Sequence, residues 1–429
     1  MAASGLWSSP FTNGLMRTPL LLAILSLAAA SGGFAQSGPA CVPDNAGLTL
    51  PSGFCAVLVG ENLGAVRHFV VAPNGDIFAA VAGSRDGTTK GGLYLMRDSD
   101  GDGKADVVRA IHETGGTGVA LAPGAVYFAP NDQVLRFPWA PGALEPSAPA
   151  EVVVSGLPTG GHSAKTITIG SDGALYVTIG SRTNSCQEKD RTSKSAGVNP
   201  CVELEERAGI WRFDARRTGQ TQADGVRFAT GLRNAMAKAV EPSTGVLFMA
   251  THGRDQLTEN WGFPAEEGRE NPAEQFGPVR QGGDYGWPYC YYDPRQQAKV
   301  QAPEYGGDGR KVGDCARYEP PAIGFPAHWA PMAIAFYTGT AFPAEYRGGA
   351  FLSFHGSWNR GPGPEYQAGY RVVFIPFANG KPTGKFRDFA LPAGAHNAVR
   401  PAGLAVGPDG SLYIGSDAQQ KIWRVFYRP

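Results

Sequence analysis

Four stretches of the chain share one pattern of apolar and polar positions. Each has alternating apolar residues, a turn rich in Pro, Asn, Asp or Gly, and a second apolar run with an aromatic residue. The stretches are residues 68–78, 167–176, 239–248 and 404–413. Each predicts two short antiparallel strands joined by a tight turn. A hairpin that recurs along a chain is typical of a radial β-repeat such as a propeller, so the predicted fold class is all-β.

Polar side chains stand just before three of these hairpins. His162 precedes the second, Arg233 and Asn234 precede the third, and Arg400 precedes the fourth. Loops that enter the inner strands of a propeller meet around one end of its central channel. We therefore expect these residues, distant in sequence, to share a site.

Composition agrees with a large globular domain. The chain has 429 residues, of which 42% are apolar and 18% charged, and its formal net charge is zero. A neutral chain gives no electrostatic case for nucleic acid or an anionic membrane as the main partner.

The N-terminal region predicts export. Arg17 precedes an apolar run over residues 19–30, and small residues follow up to Ala35. This is the pattern of a secretory signal cleaved after residue 35, with an apolar core too short to span a bilayer. A retained membrane anchor is the alternative. We expect residues 36–429 to form a single propeller domain in the periplasm or outside the cell.

Six cysteines lie outside the predicted signal, at positions 41, 55, 186, 201, 290 and 315. An even number in an exported chain favours disulfides, and pairing between neighbours in sequence, 41–55, 186–201 and 290–315, is the simplest hypothesis. The chain has no C-x-x-C motif, so neither a redox dithiol nor a c-type haem site is encoded.

His162 is the candidate general base, because a neutral imidazole in a pocket can take a proton near neutral pH. A lone histidine can equally be an exposed loop residue. Lys165 and the downstream loop 180–184 add polar groups at the same end of the hairpin, and they favour a site.

Two further clusters predict an anionic ligand and a cation. Arg233 with Asn234 offers a fork of donors suited to carboxylates. A structural arginine that bridges two blades would show the same sequence pattern. In Thr251-His-Gly-Arg-Asp255, carbonyls exposed by a glycine turn and a carboxylate could hold Ca²⁺. The loop 355–360 and Arg400 concentrate imidazole, aromatic and guanidinium groups, which suits a planar or anionic ligand.

Two motifs leave the choice between structure and function open. Residues 282–288, Gly-Gly-Asp-Tyr-Gly-Trp-Pro, favour a tight structural corner over a pocket wall. Residues 98–106 fit the first half of an EF-hand loop, but Arg109 stands where the bidentate Glu should be. That segment predicts either a Ca²⁺ site or an Asp-rich turn.

Taken in order, these motifs resemble the glucose/sorbosone dehydrogenase family, soluble quinoproteins that use pyrroloquinoline quinone (PQQ), and especially its L-sorbosone dehydrogenase-like branch. The resemblance runs from about residue 45 to the C-terminus and rests on His-Ser-Ala-Lys165, Gly-Leu-Arg-Asn234, the 282–288 segment, His-Gly-Ser-Trp-Asn-Arg360 and Arg400-Pro-Ala-Gly. It implies a six-bladed β-propeller with PQQ over the channel mouth. It also implies that His162 takes the proton of a sugar hydroxyl while hydride moves to the quinone.

The resemblance further assigns site residues. It places Arg233 in the catalytic centre beside His162, and the carbonyls of the Gly253–Asp255 segment around Ca²⁺. The remaining site positions, all expected to contact the cofactor, are Lys165, Asn234, His355, Trp358, Asn359, Arg360 and Arg400.

Some positions depart from the family pattern. Gly161 and Ser181 stand where glucose-oxidising members carry aspartates, and Glu274-Gln275 replaces Asp-Glu. We expect Asn184 or another loop to orient His162 instead.

The expected function is therefore an exported PQQ- and Ca²⁺-dependent oxidoreductase that acts on an aldose or aldehyde sugar and passes electrons to a separate acceptor. A six-bladed Ca²⁺-dependent lactonase and a non-catalytic glycan- or protein-binding propeller are the alternatives. A lactonase needs a carboxylate-rich channel, whereas four arginines (233, 254, 360 and 400) stand in the candidate segments here and favour an anionic cofactor.

Overall fold

A computed structural model of the chain describes residues 39–84, 87–88 and 90–429. The predicted secretory signal, residues 1–35, lies outside the described residues and stays a prediction. Within the described part the chain is nearly all β, with two short α-helices. Six sheets of four or five strands form the blades of a six-bladed β-propeller, which confirms the predicted fold.

Two strands precede the first blade: β1 (Leu48–Thr49) and β2 (Phe54–Gly60). Blade 1 consists of β3 (Ala65–Val71), β4 (Ile77–Ala82), β5 (Gly92–Arg97) and β6 (Val107–His112). Blade 2 begins with β7 (Gly116–Ala122), β8 (Ala125–Pro130), β9 (Val134–Pro138) and β10 (Glu151–Ser155).

Blade 3 contains β11 (Ile167–Ile169), β12 (Ala174–Ile179), β13 (Gly209–Asp214) and β15 (Val226–Thr230). Between the last two, β14 (Gln220–Thr221) crosses over to pair in parallel with β10 of blade 2. Blade 4 begins with β16 (Ala237–Val240) and β17 (Leu247–Thr251), followed by α1 (Leu257–Trp261), α2 (Ala265–Glu270) and β18 (Glu274–Pro278). Then come β19 (Gly283–Asp284), which pairs with β15, a separate hairpin of β20 (Cys290–Asp293) and β21 (Ala298–Gln301), and the outer strand β22 (Ile323–Phe325).

Blade 5 contains β23 (Pro331–Phe336), β24 (Ala350–Phe354), β25 (Arg371–Ile375) and β28 (Arg387–Pro392), with a small hairpin of β26 (Phe377–Ala378) and β27 (Lys381–Pro382). Blade 6 contains β29 (Pro401–Val406), β30 (Leu412–Ser416) and β31 (Lys421–Tyr427). Strand β2 from the N-terminal side completes blade 6 by pairing with β31. This pairing ties the two ends of the domain together and closes the ring.

The four predicted hairpins are the first two strands of blades 1, 3, 4 and 6. Their turns use the residues that the pattern singled out. The Asp172 side chain accepts a hydrogen bond from the amide of Ala174, and Gly173 adopts φ +82°. Glycine takes this left-handed conformation without strain, so the Asp-Gly pair ends one strand and starts the next.

Large apolar side chains fill the spaces between blades. Phe248 and Phe276 of blade 4, for example, pack in one cluster with Leu352 and Phe354 of blade 5. All four side chains are almost fully buried, because each sheet is covered on both faces by its neighbours in the ring.

The three predicted disulfides are present: 41–55, 186–201 and 290–315. In the described residues, no helix has the length and apolar character needed to cross a membrane.

Candidate functional site

The predicted site residues gather at one end of the propeller. The loops before β11, β16, β23 and β29, and those after β12, β17, β24 and β30, approach one another there, and we call this end the mouth. Below it runs a channel cavity of about 400 Å³, lined by the first strand of every blade. The channel is polar in part, since His68 and Lys238 line it.

His162 is fixed in one tautomer at the mouth. Its Nδ1 lies 2.9 Å from the carbonyl oxygen of Ser181 and 3.1 Å from the Ser181 hydroxyl. A carbonyl can only accept a hydrogen bond, so Nδ1 carries the proton and Nε2 keeps its lone pair. Burial, followed by the nearby Arg233 guanidinium, lowers the pKa of His162 to about 3. The ring is therefore neutral at physiological pH and able to accept a proton at Nε2.

The Arg233 guanidinium is buried and donates four hydrogen bonds. It donates to the carbonyl of Asn184 at 3.1 Å, to the Asn184 side-chain oxygen at 3.0 Å and to the carbonyl of Gly253 at 2.9 Å. It also pairs with the carboxylate of Asp255 at 3.0 Å. Asn184 thus positions Arg233. The group that orients His162 is Ser181 and not Asn184.

Asp255 is the centre of a charged cluster. Besides Arg233, its carboxylate accepts from Arg191 at 2.9 Å and from the Asn359 amide at 2.8 Å. His328 Nδ1 lies 3.7 Å away. Burial opposes ionisation of Asp255, but Arg233, His328 and Arg191 outweigh it and hold its pKa well below the usual value. The carboxylate is therefore ionised and fully neutralised by its neighbours.

Asn234 lies beside His162 with part of its hydrogen-bonding capacity unused. Its Oδ1 is buried and has no hydrogen-bond partner among the described residues, whereas its Nδ2 lies 3.5 Å from the His252 Nδ1. A Cβ added at Gly180 would meet the His162 Cβ at 2.5 Å and the Asn234 Oδ1 at 3.1 Å. Glycine at position 180 thus permits this close approach, and it leaves an amide oxygen ready to accept from a ligand.

A second carboxylate-centred cluster occupies another part of the mouth. His355 Nε2 lies 2.6 Å from the Asp417 carboxylate, which also forms a salt bridge with Arg67. Arg400 donates to the carbonyls of His355 at 3.0 Å and Gly356 at 3.1 Å, and its guanidinium lies over the Tyr370 ring. Arg400 has no carboxylate partner among the described residues.

Three residues expected at the cofactor are placed differently. Lys165 is fully buried, and its Nζ donates to the carbonyls of Pro158 and Ser163. The Arg360 guanidinium pairs with Glu270 and donates to the carbonyls of residues 269, 327 and 366. Trp358 is 67% exposed. Lys165 and Arg360 thus connect loops of the mouth, with most of their N–H groups engaged.

Arg67, His328 and Asp417 were not predicted as site residues, and Ser181 and Glu274 were predicted only as departures from the family pattern. Asp417 and Ser181 follow the second strand of a hairpin, and this edge of an antiparallel pair lies beside the start of the first strand. The hairpin pattern could have identified these positions. The Glu274 carboxylate accepts from the amides of Gly253 and Ala330, and burial raises its pKa to about 7.

The donor set suits a planar polyanion such as PQQ. Four guanidinium groups, those of Arg67, Arg191, Arg233 and Arg400, surround two ionised carboxylates, which leaves surplus positive charge. The unpartnered Asn234 oxygen can accept from a ring N–H or a hydroxyl.

The predicted calcium ligands do not fit Ca²⁺ as they are arranged. The Gly253 carbonyl and the Asp255 carboxylate both accept from Arg233, and the Arg254 guanidinium pairs with the buried Glu304. Calcium needs six to eight oxygen ligands, and here Arg233 already engages two of the candidate groups, the Gly253 carbonyl and the Asp255 carboxylate.

Of the two remaining motifs, the corner 282–288 has structural contacts, and the segment 98–106 stays a prediction of either a Ca²⁺ site or an Asp-rich turn. In the corner 282–288, Tyr285 and Trp287 are buried, and the Trp287 indole donates to the Asn184 carbonyl from behind the site. Carboxylate oxygens of Asp98, Asp100 and Asp102 lie within 4.8 Å of one another, and backbone amides of the same turn donate to each of them.

Comparison with known proteins places the whole domain in one family. The TrAA12-like family model matches residues 48–428. The chain belongs to the TrAA12-like family. Two solved structures are similar to this family member over most of its length. A calcium structure of a Trichoderma reesei enzyme of carbohydrate-active family AA12 has a TM-score of 0.73 at 20% identity and covers 89% of this chain and 97% of that one. The holo form of the pyranose dehydrogenase PQQ domain from Coprinopsis cinerea has a TM-score of 0.72 at 19% identity, with 88% and 97% covered.

A curated relative, the pyrroloquinoline quinone-dependent sugar dehydrogenase of Hypocrea jecorina (strain QM6a), is 24% identical over 229 residues, 46% of this chain and 48% of the relative. The chain spans about half the length of the curated relatives it matches. The resemblance to soluble quinoprotein sugar dehydrogenases is thus confirmed at the level of family and fold, without specifying the sorbosone branch.

Proposed function

We propose that this TrAA12-like protein is an exported quinoprotein oxidoreductase that oxidises an aldose or aldehyde sugar with PQQ as the electron acceptor. The observation that supports the proposal most directly is the tautomer of the His162 ring. Its Nδ1–H is bound by Ser181, so Nε2 is left as a proton acceptor next to a surplus of guanidinium groups. The names of the H. jecorina relative and the C. cinerea domain support the same cofactor.

Within this proposal, Arg233, Asn234 and Arg400 would hold the cofactor. PQQ is a tricarboxylate with an ortho-quinone, and when bound it supplies a two-electron oxidant that accepts hydride from the sugar carbon. The exposed loop around Trp358 and Asn359 borders the same space. A calcium structure among the neighbours supports Ca²⁺ as a second cofactor, but we assign it no ligands, because Arg233 engages the expected oxygens.

His162 takes the hydroxyl proton of the sugar in this scheme. The Ser181 carbonyl keeps the ring in the productive tautomer, and Arg233 and Asn234 fix its surroundings by contacts on blades 3 and 4. A positioned base of this kind typically contributes about 10²–10⁴-fold to the rate. The electrons then pass to a separate acceptor.

A lactonase is less favoured by the charges at the mouth. Metal-activated water would need free carboxylates, whereas Asp255 and Asp417 each pair with arginine. A purely binding propeller would not need an imidazole fixed in one tautomer.

The test is to titrate the purified apoprotein with PQQ, with and without Ca²⁺, and to follow dye reduction with a panel of aldoses. We expect a spectral change on PQQ binding, and turnover that falls about 10²–10⁴-fold in His162→Ala with PQQ still bound. His396→Ala, which removes an exposed histidine from the loop before β29, is the matched control. No spectral change with the wild-type chain would refute the quinoprotein assignment, and full activity of His162→Ala would refute only the role of His162.

A further inference from the structure

A second imidazole at the mouth has the carboxylate partner that His162 lacks. His355 follows β24 and Asp417 follows β30, so adjacent blades bring them together. The distance from His355 Nε2 to Asp417 Oδ1 is 2.6 Å, and Arg67 pairs with the other carboxylate oxygen. The His355 side chain is 19% exposed, so the ring stays reachable from the mouth.

The two imidazoles are held in opposite tautomers. An ionised carboxylate only accepts hydrogen bonds, so the proton of His355 lies on Nε2 and the lone pair on Nδ1. No residue described by the structure donates to that Nδ1. In His162 the proton lies on Nδ1 and the lone pair on Nε2.

The charges around His355 keep the pair in this state. Burial opposes ionisation of Asp417, but His355 and Arg67 outweigh it and lower its pKa to about 2. Burial lowers the pKa of His355, and Asp417 acts against that shift while Arg400 and Arg67 add to it. His252 interacts electrostatically with both His162 and His355, and the loops that carry His162 and His355 meet at the mouth.

A reaction of this class releases a second proton, which needs an acceptor of its own. Oxidation of a sugar carbinol to a carbonyl removes two electrons and two protons. One proton leaves the hydroxyl and passes to His162. The other hydrogen would move with the electron pair to the bound quinone, and it would have to leave as a proton once both electrons had gone to the separate acceptor.

We propose that His355, positioned by Asp417 and Arg67, accepts this second proton at Nδ1 and releases it to water. The proposal rests on the proposed quinoprotein function. His355 is then the group that receives the proton, and Asp417 and Arg67 are positioning residues. The arrangement resembles other histidine–carboxylate pairs, in which the carboxylate sets the tautomer and stabilises the imidazolium that forms.

The first test needs no cofactor. Long-range ¹H–¹⁵N spectra of the apoprotein with labelled histidine report the tautomer of each ring, with His355→Gln and His162→Gln used for assignment. We expect the Nε2–H form for His355 and the Nδ1–H form for His162. In Asp417→Asn, Arg67 will retain the amide oxygen, so the amide N–H will face Nε2 and reverse the His355 tautomer. Asp388→Asn, which alters an outer pair with Arg371 in blade 5, is the matched control and should leave it unchanged.

The second test separates the two half-reactions of the PQQ-loaded protein. We expect His355→Gln and Asp417→Asn to slow re-oxidation by a dye that takes only electrons by about 10–100-fold, with sugar oxidation in a single turnover changed less than about twofold. His162→Gln should show the opposite split.

The proposal is overturned if wild-type His355 carries its proton on Nδ1, if Asp417→Asn leaves the tautomer unchanged, or if re-oxidation is unaffected by His355→Gln. Failure of the wild-type chain to bind PQQ would overturn the proposed function, and the proton role of His355 with it. The tautomer spectra of the apoprotein do not depend on that result, so the two failures are distinguishable.

Discussion

Replacing His162 by glutamine is expected to make the domain more resistant to acid, although it removes a site residue. The pKa of His162 is lowered from 6.5 to about 3 in the folded protein, first by burial and then by Arg233. Below pH 6.5 the unfolded chain therefore binds a proton that the folded chain does not bind. Stability is lost as the pH falls from about 6.5 towards 3.

The size of the effect follows from the two pKa values. At pH 5 the proton taken up by the unfolded chain stabilises that state by about 2 kcal/mol, and at pH 7.5 by almost nothing. Glutamine does not titrate, so His162→Gln lacks this loss. Relative to wild type, the apparent free energy of unfolding of the variant should improve by about 2 kcal/mol between pH 7.5 and pH 5.

Urea unfolding of both proteins at the two pH values, without PQQ, measures this difference directly. His396→Gln, which removes an exposed ring, is the control. Glu274, whose pKa is raised to about 7 by burial, stabilises the folded protein as the pH falls, but it is common to all three proteins and cancels. The same wild-type-to-variant difference at both pH values would refute the buried, neutral state of His162.

Two further substitutions test the surroundings of the site. Arg254→Met should cost about 3–5 kcal/mol of unfolding free energy because it leaves the fully buried Glu304 carboxylate without its cation, and the double variant with Glu304→Leu should recover most of that loss. If the double variant is no more stable than Arg254→Met in urea unfolding, the desolvation argument is wrong. Gly180→Ala places a Cβ 2.5 Å from the His162 Cβ, so turnover of the PQQ-loaded protein should fall at least about tenfold. Unchanged turnover would show that the position of His162 is not critical.

The repeating unit of the fold could be predicted from sequence, but its closure could not. Asp-Gly, Asn-Gly and Thr-Gly turns revealed the hairpins of blades 1, 3, 4 and 6. The first two strands of blade 5 are joined instead by a long connection over residues 337–349, which offers no two-residue turn signal. The pairing of β2 with β31 joins residues more than 360 positions apart, and no local pattern specifies it.

The site was predictable where it depended on the hairpin edge and unpredictable where it depended on loop conformation. His162, Arg233 and Arg400 lie at the mouth because the start of a first strand lies there. The group that orients His162 could not be predicted, because it depends on the path of the loop after β12. This loop brings the Ser181 carbonyl to the His162 ring and Asn184 to Arg233. Lys165 and Arg360 carry the positive charge expected at an anion site. Their donors, however, bind carbonyl groups and a carboxylate of the protein itself.

The surplus positive charge at the mouth favours an anionic ligand. Asp255 and Asp417 both follow the second strand of a blade, and arginine neutralises each of them before any ligand arrives. Two of the four guanidinium charges remain uncompensated. Burial lowers the pKa of His162, His252 and His355, whereas Asp255 outweighs burial and raises that of His328. Glu274, with a pKa near 7, adds less than one negative charge. An anion of two or three charges satisfies this surplus, whereas a free divalent cation would have to displace Arg233 from both Gly253 and Asp255. The charges at the mouth therefore favour an anion over a free metal ion.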